Sequence, residues 1–129
     1  MNKNETLLTV SNPKIEKGLI RGYLTAVLHL SPANKSGHNV CPGSTSGCRA
    51  VCLDETGHGG IFKKGETTNA VQQARLRKTL WFFENRPTFL TKLVKEITAM
   101  IAKAHRLDLT PAFRLNATKR TCAFWIARA

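Results

Sequence analysis

The stretch that decides the fold is residues 67–106, which read TTNAVQQARLRKTLWFFENRPTFLTKLVKEITAMIAKAHR. Its second half repeats apolar residues at intervals of three and four, which is the period of an amphipathic helix. Pro87 interrupts the stretch and suits the first turn of a helix, where no backbone N–H is needed. The sequence therefore predicts two long amphipathic helices, about 67–84 and 87–106.

The apolar face of the second helix is expected to lie in the core. We predict that it packs against one face of the strand predicted at residues 19–30, because alternate residues of that segment are also apolar. The helix residues expected to be buried are Leu90, Leu93, Val94, Ile97 and Ile101. The strand residues expected to meet them are Leu24, Ala26, Leu28 and Leu30.

Two segments have the pattern of strands. Residues 19–30 read LIRGYLTAVLHL, with apolar residues on one parity, and residues 110–117 form a second apolar segment. A loop rich in Gly, Pro and Ser follows the first strand, and Thr45 or Ser46 is placed to cap a short helix within it. The predicted fold class is α+β, with a small sheet packed by the two long helices and by this cysteine-containing loop and short helix.

The length and composition indicate one domain. A chain of 129 residues with 42% hydrophobic content can bury one modest core. We predict a single domain over 1–129, with loosely ordered tails at 1–12 and 119–129.

The charge balance indicates an anionic partner. Twenty Lys and Arg against eight Asp and Glu give a formal charge of +12. Residues 61–106 carry ten of the basic and three of the acidic residues, so the excess is greatest in the predicted helices. Charge of this size works against the compact state unless a polyanion offsets it, and DNA or RNA is the expected partner.

The basic residues of the helices are the candidate nucleic-acid contacts. Several fall on one stripe of the first helix, and two more lie early on the second. The predicted binding residues are Gln72, Arg75, Arg77, Lys78, Lys92 and Lys95. The three consecutive aromatic residues 81–83 are expected to contribute mainly to the core, with stacking on bases as the alternative.

Three cysteines within twelve residues form a candidate metal site. Cys41, Cys48 and Cys52 have the spacing C-x6-C-x3-C, and His38 and His58 flank them as possible further ligands. Such a set fits structural zinc or an iron–sulfur cluster. The alternative is that these are buried free thiols, since cysteine packs well as a small apolar residue.

Catalytic motifs are scarce. No hydrolase nucleophile elbow, zinc-protease helix or phosphate-binding loop occurs in the sequence, and no catalytic residues are predicted. No apolar run is long enough to span a bilayer, and the N-terminus does not resemble a signal peptide. The cytoplasm of the cell that makes the protein is therefore the expected location, with no membrane partner.

The order of these motifs resembles a family of phage and plasmid proteins labelled gene product 88. The resembling stretches are GYLTAVLHLSPAN, NVCPGSTSGCRAVCL, NAVQQARLRKTLWFFENRPTFLTKL and FRLNAT, which cover about residues 12–118. The resemblance implies an origin in a phage or mobile element. Family members continue beyond the RLN segment in a different way from the tail KRTCAFWIARA, so a shortened C-terminus is expected and Cys122 is not counted with the cysteine loop.

Three functions remain open from the sequence. The first is binding of nucleic acid, or of a nucleoprotein complex, through a positive helical surface, with a cysteine-bound metal as a possible structural element. The second is inhibition of a host defence or nucleic-acid-processing complex by direct docking. The third is a zinc or iron–sulfur enzyme fragment.

Overall fold

The computed structural model describes residues 5–55, 57–117 and 124–126. Of the predicted loose tail at 119–129, only the short segment 124–126 is therefore described. Cys122 lies outside the described residues.

The chain forms two compact units. The sheet unit comprises residues 1–29 together with 87–129, and the α3 unit comprises residues 30–86. The prediction of one domain over 1–129 stays a prediction, because compact units of one chain need not fold independently.

The sheet unit contains a four-stranded sheet in the order β1-β2-β3-β4. The two central strands are parallel, and each outer strand is antiparallel to its neighbour. The strands are β1 Leu8–Thr9, β2 Tyr23–Leu28, β3 Thr110–Arg114 and β4 Phe124–Ile126. With the helices described below, this confirms the predicted α+β class and both predicted strand regions.

A helix precedes β2 where the sequence predicted that the strand had already begun. Helix α1 spans Pro13–Ile20, so the predicted strand 19–30 is corrected to Tyr23–Leu28. The side chain of Asn12 accepts hydrogen bonds from the backbone N–H of Lys14 and Ile15 at 3.0 and 2.9 Å, and proline at the first position needs no donor. Asn-Pro is thus a helix start here and not an isolated turn.

The N-terminal segment is part of the core. Leu7 is fully buried and Leu8, in β1, is 6% exposed, so the predicted loose tail 1–12 is corrected at these positions. The backbone N–H groups of both leucines donate to the carboxylate of Glu96 at 2.9–3.0 Å. Apolar burial and these charge-assisted hydrogen bonds together fix the segment.

Three further α-helices and two 3-10 turns complete the described elements. The helices are α2 Ser46–Ala50, α3 Ala70–Glu84 and α4 Arg86–Arg106, and the turns are Leu53–Glu55 and Gly57–Gly60. The two long helices and the short capped helix agree with the predictions. Asn69, whose side chain accepts from the N–H of Gln72, caps α3.

The buried face of α4 differs from the predicted one. The buried residues are Phe89, Leu93, Met100 and Ala104. Leu90 is 43% exposed and Val94 is 61% exposed, although both were expected in the core. The apolar residues of α4 span a wide arc, and only one side of that arc faces inward.

Candidate functional site

The described residues of α4 carry a row of basic side chains. At about 100° per residue, Lys92, Lys95, Lys103 and Arg106 fall within an arc of about 80° and extend over about 21 Å of the helix. Three of the four residues are exposed and Lys92 is half-buried. We call these four residues the α4 basic face.

One carboxylate of α4 lies beside this face, one helical turn from Lys92. Glu96 is the single acidic residue of the helix, and its two oxygens accept hydrogen bonds from the N–H groups that begin β1. Four cations and one carboxylate leave this side of the helix with an excess of positive charge.

The stripe predicted on α3 is directed into the α3 unit. Lys78 is 8% exposed and Thr79 is fully buried. The hydroxyl of Thr79 accepts from the N–H of Ser31 at 2.8 Å and donates to the carbonyl of Arg75 at 2.9 Å. These side chains contribute to internal packing and not to an open surface.

Arg75 is engaged by a buried carboxylate. Its guanidinium donates to Asp54 at 2.5 Å, and the Asp54 side chain is 2% exposed. Lys35 donates to the second oxygen of Asp54 at 3.2 Å and to Glu55 at 2.8 Å. A buried carboxylate bonded by two cations is a structural arrangement, since removing either partner would leave a desolvated charge.

The pKa of Lys35 reflects the same cluster. Partial burial acts to lower the pKa of this ammonium group. The hydrogen bonds to Glu55 and Asp54, with the negative charges of both carboxylates, outweigh burial and raise the pKa above its ordinary value. Lys35 is therefore charged at any physiological pH and stays bonded to the two carboxylates.

Gln72 and Asn69 hold the turn beside this cluster. The amide of Gln72 donates to the carbonyl oxygens of Asp54 at 3.3 Å and Gly59 at 2.9 Å. The amide of Asn69 donates to the carbonyl oxygens of Gly59 at 3.0 Å and Ile61 at 2.9 Å. The side chain of Gln72, a predicted contact, is thus hydrogen-bonded to the backbone of the 3-10 turns.

Of the six predicted contacts, Arg77, Lys92 and Lys95 lie at the surface to different degrees. Arg77 and Lys95 are exposed and Lys92 is half-buried. Lys92 and Lys95 lie together on the α4 basic face. Lys103 and Arg106 were not among the predicted contacts. Each follows one of these lysines by eleven residues, Lys92 and Lys95 respectively, and this spacing places them on the same side of a helix.

A cavity of about 680 Å³ opens beside the Asp54 cluster within the α3 unit. Its wall includes Lys35, Asp54, Glu55, Phe62 and Gln72. Lys35 is bonded to both carboxylates. With Arg75, which also bonds Asp54, two cations and two carboxylates form one cluster of balanced charge.

The cysteine loop contains free thiols. Cys41 is buried, and Cys48 and Cys52 are half-buried. The ring of His38 stacks on Phe83, and the side chain of His58 lies outside the described residues. Within the described part of the chain, no group of three or more His, Cys, Asp or Glu is arranged to hold a metal ion. The five-residue metal site, with zinc or an iron–sulfur cluster, stays a prediction.

Comparison with known proteins places the chain among phage gene products. It belongs to the Gene product 88 family, whose model matches residues 2–118. No curated protein and no solved structure matches the chain. None of the helices in the described residues is long and apolar enough to cross a membrane.

Proposed function

We propose that this protein binds nucleic acid, alone or within a nucleoprotein complex, through the α4 basic face. The observation that supports the proposal is the alignment of four cations on one side of a single helix that has only one carboxylate. The proposal moves the binding surface from the α3 stripe, where Arg75 and Lys78 are internal, to α4.

The dimensions of the face suit a phosphate backbone. Its length of about 21 Å corresponds to about six nucleotides at a rise of about 3.4 Å per nucleotide in one strand of B-form DNA. Lysine and arginine at this spacing neutralise phosphates and release condensed counterions, so binding is driven largely by electrostatics. No base-reading group is required, and we expect little sequence preference.

The test removes charge from this face. We expect the variant Lys95→Gln/Lys103→Gln/Arg106→Gln to bind double-stranded DNA more weakly. The slope of log K against log salt should decrease by up to about 2.7, which is about 0.9 for each phosphate that the variant no longer neutralises. Fluorescence anisotropy titrations at several salt concentrations measure both quantities, and circular dichroism checks that α4 remains folded.

A matched variant controls for net charge. Lys14, Lys17 and Arg21 are exposed residues of α1 and its C-terminal cap, in the same unit. Changing these three to Gln removes the same charge and should leave the slope nearly unchanged. Equal decreases in both triple variants would show diffuse attraction without a defined face, and undetectable DNA and RNA binding by the intact protein at about 50 mM salt would refute the proposal.

A second candidate function is docking on a host protein complex as an inhibitor. The observation that favours it is the exposure of Leu90 and Val94, one turn apart on α4. Exposed apolar side chains at helical spacing are suited to a protein contact. Binding to one host protein that persists at high salt, with no affinity for free nucleic acid, would favour this function over the first.

A further inference from the structure

A ladder of four side chains runs across the α3 unit near the C-terminal end of α3. The imidazole of His38 stacks on the ring of Phe83 with centroids 4.1 Å apart and planes 8° from parallel. Phe83 meets Phe82 edge to face at 5.2 Å and 86°. The guanidinium of Arg86 lies 4.8 Å from the centroid of Phe82. We call His38, Phe83, Phe82 and Arg86 the aromatic ladder.

The ladder lies at the surface and is not closed off as core. His38 and Arg86 are exposed, and Phe82 and Phe83 are half-buried. One face of the His38 imidazole is covered by Phe83, and His38 as a whole residue is exposed. An exposed aromatic residue thus lies at one end of the ladder and an exposed cation at the other.

Local hydrogen bonds fix the loop that carries His38. The N–H of His38 donates to the hydroxyl of Ser36 at 3.3 Å, and that hydroxyl donates to the His38 carbonyl at 3.2 Å. Gly37 has a φ of +82°, which the turn before His38 requires and which other residues rarely adopt. The N–H of Val40 also bonds the carbonyl of Ala33 at 3.3 Å. A plane held in this way loses little conformational entropy when a ligand stacks on it.

The ligand that matches a parallel aromatic plane beside cations is an unpaired nucleobase. Every base has a π face that can continue a stack, and its phosphate is attracted by nearby positive charge. Arg86 keeps exposed donors while it packs over Phe82. The α3 unit as a whole carries eight basic and four acidic residues. Bases in a duplex are already stacked on each other, so this plane would select single strands.

We infer that the aromatic ladder is a stacking platform for bases of single-stranded nucleic acid, with His38 as the residue that contacts the base. The inference rests on the proposed function, because it adds to that nucleic-acid surface a contact that only unpaired bases can make. It adds a second contact, which lies in a different unit from the α4 basic face. Salt weakens phosphate contacts through counterion release, and base stacking does not depend on that release.

The test compares two chains of equal charge. One is an oligothymidylate of about 12 nucleotides, within the usual site size of single-strand binders, and the other is a deoxyribose phosphate chain of the same length without bases. Stacking of a single base on the platform should make the intact protein bind the oligothymidylate about 5-fold or more tightly. Anisotropy competition at fixed salt measures the ratio.

Two variants of His38 assign the preference to the ladder. His38→Ala should reduce the ratio to about one, and His38→Phe, which keeps an aromatic plane, should retain most of it. Because His38 is exposed, neither change is expected to prevent folding. Equal binding of both chains by the intact protein, or a preference unchanged in His38→Ala, would overturn the inference.

These outcomes separate the inference from the proposed function. Equal binding of both chains, abolished in the α4 triple variant, would refute stacking and leave the α4 basic face in place. A preference that depends on His38, with no effect of the α4 triple variant on either chain, would refute the α4 basic face and support the ladder. Failure to bind either chain, with binding of double-stranded DNA intact, would refute the ladder and leave the α4 basic face in place.

Discussion

At the scale of single residues, the tightest described backbone approach at a glycine occurs at Gly59. A Cβ atom there would overlap the carbonyl oxygen of Asp54, and the Arg75 guanidinium would lie 3.0 Å from it. The carbonyl of Gly59 also accepts from Asn69 and Gln72. Glycine at this position lets the second 3-10 turn lie against the backbone of Asp54, whose carboxylate bonds Arg75.

We expect Gly59→Ala to lower the free energy of unfolding by about 1–3 kcal/mol, because the backbone of the turn must move to admit the methyl group. Urea denaturation followed by circular dichroism measures the change. Gly43→Ala is the control, since nothing lies within 4 Å of the added Cβ. The control should change stability by no more than about 1 kcal/mol, and equal destabilisation in both variants would contradict the close approach.

Two of the basic residues predicted on the surface of α3 are instead directed into the α3 unit. Arg75 and Lys78 have the spacing of a solvated basic face, and a helical pattern carries no information about a distant partner. Asp54 is 21 residues from Arg75 in the chain and is brought to it by two turns. No pattern around Asp54 in the sequence indicated this pairing.

At the scale of elements, α4 has an inner side and an outer apolar side that the sequence could not distinguish. Its apolar residues, from Phe89 and Leu90 to Ile101 and Ala104, cover an arc of about 140° at about 100° per residue. Periodicity predicts that this arc faces a core, but it does not predict which side of the arc has the more buried residues. The predicted helix bounds agree with the structure within a few residues, because Pro87 marks the start of α4 locally.

A matched pair of substitutions tests the assignment of the inner side. Leu93 is 7% exposed and Val94, the next residue, is 61% exposed. Leu93→Ala should cost about 2–5 kcal/mol of unfolding free energy, because it removes buried apolar surface and leaves a residual cavity. Val94→Ala should cost less than about 1 kcal/mol. Denaturant titration of the two variants measures both values, and a larger cost for Val94→Ala would reverse the assignment.

Local signals also account for the strands. The apolar alternation of residues 23–28 predicted β2. Leu19 and Ile20, which end α1, are also aliphatic and were therefore assigned to the strand. Gly22, with a φ of +81°, separates the two elements. The parallel pairing of β2 with β3 joins residues about 87 positions apart, such as Tyr23 and Thr110. That pairing is a tertiary contact, which periodicity within each segment does not encode.

At the scale of the whole molecule, the formal charge of +12 has a thermodynamic consequence. Repulsion among like charges opposes the compact state and is screened by salt. We expect the Tm to rise between about 20 and 300 mM sodium chloride, by about 4 °C for each kcal/mol of repulsion relieved. Differential scanning fluorimetry without nucleic acid measures this shift.

The α4 triple variant provides the control for the salt effect. With three fewer positive charges, its Tm should depend less on salt than that of the intact protein. A Tm that is constant or falls as salt increases would show that attractive ion pairs, such as Arg75 with Asp54, outweigh the general repulsion.

The bond between Glu96 and the start of β1 has a consequence for behaviour at high concentration. β1 is an outer strand of the sheet, and the outer strand of a sheet offers unpaired backbone donors to any other strand. The N–H groups of Leu7 and Leu8 are already occupied by a carboxylate from the same chain. A second molecule cannot extend the sheet through these donors unless it displaces that carboxylate, so Glu96 protects this edge against strand-to-strand aggregation.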